Sequence, residues 1–228
     1  MSGGNKPLPR VTARQLRRLP LFPLENVVLF PHSMIPLHIF EPRYRKMVKD
    51  VMATNKLLAI SLQLERDDPA RDEAPRVAGV AAVGEVVMAQ ELSDGRYNLI
   101  VHGRARISID SELPSDEPYR LVAAHEIPDD PNSAEPGDPH AEEADLTLRA
   151  LVSGLAENIP EGGELLKQVA AAQETPAELS NVLAASLVAD TKDRQRLLET
   201  TNVAERMEFL TGEIVALTGR LSKPGAAN

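Results

Sequence analysis

Residues 79 to 86, GVAAVGEV, have the glycine spacing of a phosphate-binding loop without its chemistry. Such a loop needs a Lys after the second glycine to neutralise nucleotide phosphates, and then a Ser or Thr to hold magnesium. Glu85 and Val86 stand at those positions, and a carboxylate would repel phosphate. The chain has no Gly-x-Gly-x-x-Gly string either. We therefore interpret GVAAVGEV as part of a β-strand and predict no nucleotide cofactor.

The histidines do not indicate a metal site. None of the five has a partner at His-x-x-x-His or His-Glu-x-x-His spacing, so no helix presents two imidazoles to one ion; they are His32, His38, His102, His125 and His140. Folding could bring His32 and His38 together, but we interpret the histidines as hydrogen-bonded groups at or near the surface. The chain has no cysteine, which removes thiolate ligands, a Cys nucleophile and disulfides, and favours a cytoplasmic location.

Two arginines in the string EPRYR, residues 41 to 45, lie where a helix is predicted to begin. A cation in the first turn opposes the helix dipole, so helix electrostatics do not explain Arg43 and Arg45. Each guanidinium could pair with Glu41, Asp50 or a loop carboxylate and tie the helix to the rest of the fold, or it could reach a ligand. We favour structural ion pairs involving Arg43, Arg45 and Glu41.

The stretch that contains these arginines, residues 19 to 45, is an apolar run interrupted by five prolines. Proline fixes φ and has no backbone N–H, so we predict short extended pieces joined by bends, with the two strands forming a hairpin. From Pro42 onward the apolar residues recur at three- and four-residue intervals. This spacing predicts an amphipathic helix over residues 42 to 54.

Further strands follow this helix. The segments are a buried strand over 57 to 64, an exposed loop over 65 to 76, a hairpin formed by 77 to 91 and 97 to 109, and a last strand over 119 to 127. Asp94-Gly95 supplies the positive φ angles of the hairpin turn. Strands outnumber helices up to residue 127, which favours a small closed barrel over a parallel sheet.

The remaining chain divides by composition. Residues 128 to 143 contain four prolines, six acids and no base, which indicates a linker or exposed loop between two domains. We predict a barrel over 19 to 127 and a helical bundle over 144 to 222. Residues 1 to 18 carry five basic residues and no acid, and we expect a flexible basic arm there and a flexible tail over 223 to 228.

Two helix starts stand out in the predicted bundle. Thr175 to Glu178 forms a capping box, and Asn202 can cap a last helix with Glu205 in its first turn. The apolar residues of that last helix alternate steps of four and three from Val203 to Leu221. We interpret this seam as packing within the bundle, and we keep weak self-association through it as the alternative.

Several strings, in this order, resemble one known family: LPLFPL, VVLFP and IPLHIFEPRYR near one end, and DRQRLLETTNVAERMEFL near the other. The family is the amino-terminal (LON) substrate-binding domain of Lon-type ATP-dependent proteases, including its free-standing versions, and the resemblance covers roughly residues 19 to 221. It implies an α+β fold, in which a PUA-like antiparallel β-barrel with one or two helices precedes a helical bundle. It also implies binding of polypeptide rather than cleavage.

We therefore expect a non-catalytic, ATP-independent module with no metal and no cofactor, an adaptor or holdase that works with a protease or chaperone in protein quality control. Intact Lon proteases cut with a Ser-Lys pair, and no serine of this chain lies in a string that resembles that motif. The expected partners are unfolded or hydrophobic polypeptide segments.

The expected binding surface lies in the proline-interrupted stretch. Its apolar residues are too numerous for one strand face, because alternate side chains point in opposite directions. We expect most of them in the core and a minority near Phe30, Pro31, Met34 and Ile35 in an exposed surface able to hold polypeptide. Prolines would keep further strands from adding to its edge.

Two other function classes remain as alternatives. PUA-like barrels in other families bind RNA, but a formal net charge of −9 would repel a phosphate backbone, and only the basic arm favours nucleic acid. A small-ligand pocket is the second alternative, although without Trp no tryptophan cage can form. No apolar segment approaches the roughly 18 residues that span a bilayer, so we expect no membrane partner.

Overall fold

The computed structural model describes residues 10–65, 75–133 and 139–222. Within these ranges six strands occur: β1 (Leu19–Leu24), β2 (Met34–Ile39), β3 (Leu57–Leu62), β4 (Val80–Glu91), β5 (Tyr97–Leu113) and β6 (Arg120–Glu126). The helices in the same ranges are α1 (Ala13–Leu16), α2 (Pro42–Met52), α3 (Pro139–Glu157), α4 (Gly163–Ala171), α5 (Pro176–Leu187), α6 (Thr191–Glu199) and α7 (Val203–Leu221).

The strands form one sheet that closes on itself, in the order β2-β5-β4-β3-β1-β6 with a further pairing of β5 to β6. Closure depends on the length of β5, which pairs with β4 on one edge and, on the other, first with β2 and then with β6. The predicted α+β class is confirmed. One pairing departs from the predicted antiparallel pattern: β1 runs parallel to β3, because the chain crosses through β2 and α2 between them.

The predicted hairpin of the first two strands is wrong, although both strands exist. β1 pairs with β3 and β6, whereas β2 pairs with β5. Residues 25–33 separate them, and within this segment Val28 and Phe30 are buried against the helical region. The chain therefore crosses to another part of the sheet instead of turning back on itself.

The second predicted hairpin, β4 with β5, is confirmed. Gly95 has a φ of +77°, and the backbone N–H of Arg96 donates to Oδ1 of Asp94 at 3.1 Å. The positive φ is costly for residues with a Cβ, which explains the glycine. The turn fixes the register that brings β4 and β2 to opposite edges of β5.

The helix after β2 begins at Pro42 as predicted, with Glu41 as its N-cap residue. Tyr44, Met47, Val48 and Val51 are buried on one face of α2. They pack with residues of the sheet that include Leu58 and Ile60, whereas Leu57 and Ala59 belong to a second cluster on the other face of β3. Alternation along the strand thus gives β3 two buried faces, as its unbroken apolar sequence requires.

The third apolar cluster joins the sheet to the helices. Val28, Phe30, Leu62 and Ala78 pack with residues from α3, α4, α5, α6 and α7. Along α7 the seam residues Val203, Met207, Leu210 and Ile214 are buried in this cluster, and the capping predicted for α5 and α7 is present. We propose that the chain divides into a barrel and a bundle, and this apolar cluster is shared by both.

Three boundaries differ from the predictions. The arm is not flexible over 13 to 16, where α1 has a Thr12/Gln15 capping box and buried Leu16; residues 1–9 lie outside the described residues. The predicted acidic linker is a loop over 128–133, but α3 already begins at Pro139. The predicted loop residues 66–74, the linker residues 134–138 and the tail 223–228 also lie outside the described ranges.

Helix α4 was not predicted from the sequence. It begins at Gly163, which is buried. A Cβ there would overlap the carbonyl oxygen of Ala156, so the glycine serves a close backbone approach to α3.

Candidate binding surface

Three neighbouring strands, β2, β5 and β4, share an outward face on which exposed apolar side chains lie among polar ones. The register pairs Met34 with His102, and Pro36 with Ile100, which is in turn opposite Met88. Directly paired residues point to the same side of a sheet, so these side chains share one face. Met34 is 65% exposed, Met88 47%, and Phe40, just after β2, 61%. We call Met34, Pro36, Phe40, Met88 and Ile100 the sheet patch.

The exposure of Met34 and Pro36 follows from the alternation of side chains along β2. Ile35, Leu37 and Ile39 are buried or half-buried towards the core, whereas Met34, Pro36 and His38 are exposed. The rings of His38 and Phe40 stack with centroids 6.5 Å apart, which places Phe40 beside the outward face. An outward face is normally polar, and contiguous exposed apolar residues indicate an interaction site.

The structure corrects the expected surface at two of its four residues. Phe30 is 0% exposed and packs in the cluster shared with the helices, and Pro31 is also buried. The reason is a tight turn from Phe30 to Ser33, in which Ser33 Oγ donates to the carbonyl of Phe30 at 2.8 Å. Met34 is exposed, and Ile35 is half-buried on the inward face.

Sequence reasoning missed Phe40, Met88 and Ile100 as members of the surface. Phe40 could have been identified from the sequence, because it lies an even number of residues from Met34 and therefore on the same side of an extended strand. Met88 and Ile100 required the register of β4 and β5, and the bulge near Val86 shifts that register by one residue.

The charges at the two ends of the patch are paired. At the His38 end, Arg96 pairs with Asp94 at 2.6 Å. At the Met34 end, Arg104 pairs with Glu85, the residue opposite His102 in β4. The surroundings of the patch are therefore close to neutral, which suits an uncharged ligand.

The two arginines after β2, Arg43 and Arg45, contact neighbouring parts of the fold. Arg43 Nη2 lies 2.8 Å from Glu41 Oε2, and Arg43 Cζ is 4.6 Å from the Tyr44 ring centroid. Arg45 lies against the turn between β4 and β5, where a Cβ on Gly95 would overlap its guanidinium. Both contacts lie beside α2, so neither arginine is assigned to the patch.

A separate polar cluster, which sequence reasoning missed, ties α2 to the loop before β6. Lys46 Nζ lies 2.7 Å from Asp50 and 2.8 Å from Glu117, and the Tyr119 hydroxyl donates to Asp50 at 2.7 Å. The hydrogen bonds from Lys46 and Tyr119 lower the pKa of the Asp50 carboxyl. Asp50 therefore stays ionised and holds the helix against the barrel.

A cavity of about 190 Å³ lies between the barrel and the helices, and an ion network walls it. Asp129 accepts hydrogen bonds from Arg106 at 2.8 Å and from Arg206 at 2.6 Å. Burial raises the pKa of Asp129, but the hydrogen bonds and charges of the two guanidinium groups outweigh it and lower the pKa overall. His32 Nδ1 lies 3.8 Å from Glu178 across the same cavity. These contacts hold the two parts of the chain together.

Neither a metal site nor a membrane span emerges from the described ranges. No group of three or more His, Asp or Glu side chains there is arranged to hold an ion, and no helix there has the length and apolar character needed to cross a bilayer.

His102, beside Met34, makes stability depend on pH. Burial lowers the pKa of His102 below the usual 6.5, and the electrostatic effects of neighbouring Arg104 and His32 lower it further against the opposing effect of Glu85. The folded state therefore prefers neutral His102, so stability is full above pH 6.5 and falls as the pH drops from there to the folded pKa.

Urea unfolding between pH 7.5 and pH 5 measures this dependence. We expect the free energy of unfolding to decline less with falling pH in His102→Gln than in the unmodified protein. Equal declines would show that protonation of His102 carries no cost in the fold.

Comparison with known proteins gives one family. The sequence profile described as the ATP-dependent protease La (LON) substrate-binding domain matches residues 18–216. Lon protease of Rhizobium meliloti (strain 1021) is 29% identical over 207 residues, which are 87% of this chain and 24% of that protein. Lon protease of Xanthomonas oryzae pv. oryzae is 29% identical over 199 residues, 85% of this chain and 22% of that protein. The chain thus spans about a quarter of the length of these relatives.

Solved structures show the same fold. The N-terminal domain of Mycobacterium avium complex Lon protease superposes with a TM-score of 0.68 at 19% identity, covering 87% of this chain and 98% of that one. A Lon N-terminal domain protein from Xanthomonas campestris gives 0.59 at 23% identity, covering 86% and 97%. These likenesses extend over the sheet and the helical region together.

Proposed function

Because the chain belongs to the family of LON substrate-binding domains, we propose that it binds unfolded or hydrophobic polypeptide on the sheet patch, without ATP and without cutting it. The observation that supports this most strongly is the outward face of β2, β5 and β4, where Met34, Phe40 and Met88 are each about half exposed or more. Methionine is flexible and polarisable, which suits a surface that meets many sequences.

The size of the patch sets the scale of affinity. Fully burying a Met or Phe side chain contributes about 1.5–3 kcal/mol, and the members of the patch are already partly covered. Association also costs several kcal/mol in lost freedom. We infer Kd values of about 1–100 μM for a single segment, as expected of a protein that must release what it binds.

In this proposal the protein is an adaptor or holdase in protein quality control that passes segments to a protease or chaperone. It assigns no catalytic residue, metal or cofactor. The absence of cysteine favours the cytoplasm, and the net charge of −9 continues to disfavour nucleic acid.

The double variant Met34→Ser, Phe40→Ser tests the proposal. It removes two of the most exposed apolar side chains of the patch, and we expect it to weaken binding by about ten- to a hundredfold, equivalent to about 1.4–2.8 kcal/mol. The measurement is fluorescence anisotropy of labelled, reduced and carboxymethylated α-lactalbumin, a permanently unfolded chain, without nucleotide.

A matched control comes from the helical region. Leu146 and Leu165 are 69% and 63% exposed, and Leu146→Ser, Leu165→Ser removes a similar amount of exposed apolar surface. We expect this control to bind like the unmodified protein. Equal loss in both double variants, with circular dichroism unchanged, would show that binding is not located at the sheet patch.

A further inference from the structure

Strand β2 lies at an open edge of the sheet. Among the described residues it pairs with β5 and with no other strand. Backbone groups along a strand alternate between its two edges, so half of those in β2 point away from β5. The turn that precedes β2 shows which of these backbone groups point away from β5.

The hydrogen bonds of Gly103 show which residues of β5 direct their backbone groups towards β2. The carbonyl of Gly103 accepts from His32 N at 2.9 Å and its N–H donates to Ser33 O at 2.9 Å, so both groups point towards the β2 side. Residues 101, 99 and 97 follow at steps of two and point the same way. Their partners in the register, Ile35, Leu37 and Ile39, therefore carry the bonds to β5.

Met34, Pro36 and His38 consequently face the open edge. Pro36 fits this placement, because its missing N–H would otherwise leave a gap in the ladder with β5. The edge presents the N–H groups of Met34 and His38 and the carbonyls of all three residues. None of these five groups has a hydrogen-bond partner among the residues that the structure describes, and all three residues are exposed.

We propose that polypeptide adds to this edge as an extra strand, so that main-chain hydrogen bonds to β2 combine with side-chain contacts to the sheet patch. This inference rests on the proposed function and specifies how the ligand binds. Strand addition gives affinity that is independent of sequence, because every residue except proline offers the same backbone groups. The expectation that prolines protect this edge is revised: Pro36 removes one of six backbone groups and leaves five.

The ligand is an uncharged, extended segment of another protein. The ion pairs Arg96–Asp94 and Arg104–Glu85 leave the ends of the patch near neutral, so neither an acidic nor a basic segment is selected. A second copy of this chain fits less well. Antiparallel pairing of β2 with itself, centred on Pro36, would set two prolines opposite each other, and neither could donate.

Hydrogen exchange followed by NMR tests the binding mode with the unmodified protein and carboxymethylated α-lactalbumin. We expect the amides of Met34 and His38 to exchange at least tenfold more slowly when the unfolded chain is bound. The amides of Ile35 and Leu37, already bonded to β5, should change little. Protection that grows with protein concentration alone would assign the edge to a second copy and overturn the proposal.

Two variants of His38 provide a second test of strand addition. His38→Pro removes the outward N–H without breaking a bond to β5, whereas His38→Ala removes only the side chain. We expect His38→Pro to bind the unfolded chain about three- to tenfold more weakly than His38→Ala.

The outcomes separate the two claims. If the unfolded chain binds but the exchange of Met34 and His38 is unchanged, or if His38→Pro binds like His38→Ala, strand addition is wrong and the sheet patch stands alone. If the unmodified protein does not bind the unfolded chain, the proposed function fails and strand addition fails with it.

Discussion

Replacing Asp129 with Ala is expected to lower the free energy of unfolding by about 3–5 kcal/mol. Arg106 and Arg206 are both buried, and both donate to this one carboxylate. Without it two guanidinium groups remain in the interior with their charge uncompensated. Hydrogen bonds from Arg206 to Ser180 and to the carbonyl of Thr200 persist, but they do not neutralise the cation.

Urea unfolding at pH 7 measures the effect, and Asp130→Ala is the control. Asp130 is the adjacent acid, and among the described residues its carboxylate accepts only from Asn132 within a local turn, so we expect a loss of about 1 kcal/mol or less. A loss for Asp129→Ala no larger than that for Asp130→Ala would show that the network adds little to the apolar cluster that joins the sheet to the helices.

The same network predicts acid sensitivity. The pKa of Asp129 is lowered in the folded state, so its contribution is present above the ordinary value of 3.8 and is lost as the pH falls through the folded pKa. The Asp129→Ala variant should therefore lose less of its remaining stability between pH 4 and pH 2 than the unmodified protein.

Replacing Gly103 with Ala is expected to cost about 3 kcal/mol or more, because the new methyl group would overlap the carbonyl oxygen of Phe30 and lie 2.8 Å from its carbon. The overlap involves backbone, which cannot rotate away. Relief would require breaking the bonds that join Gly103 to His32 and Ser33, each 2.9 Å long. Those bonds hold the turn that buries Phe30 and starts β2.

Gly212→Ala is the matched control for this substitution. A Cβ at Gly212, within α7, meets nothing within 4 Å, and alanine is the better helix former, so we expect a gain of about 0.5–1 kcal/mol. Thermal and urea unfolding of both variants gives the comparison. A Gly103→Ala variant as stable as the unmodified protein would mean that the turn has room to move.

Local signals predicted much of this fold. Pro42 after Glu41 marked the start of α2, Asp94-Gly95 marked the turn between β4 and β5, and the Thr175 capping box marked α5. Each depends on a backbone preference that acts within a few residues. Long-range pairing could not be predicted in the same way, because nothing local indicates that β1 runs beside β3 and not β2.

The sheet patch could also be predicted only in part from the sequence. Periodicity divides the side chains of β2 into two sets, but it does not say which set faces solvent. Phe30 appeared to belong with Met34, yet the turn at His32 rotates the chain between them and buries Phe30 under the helices. The contribution of Met88 arises only from the register of β4 on β5.

The most direct test of the central claim, that the sheet patch holds unfolded polypeptide, is site-specific photocrosslinking. Benzoylphenylalanine is placed at Met88 in one protein and at Leu165 in another, two apolar positions that are exposed by 47% and 63%. After illumination with carboxymethylated α-lactalbumin, we predict a crosslinked adduct from position 88 and little from position 165. An equal or greater yield from position 165 would contradict the account.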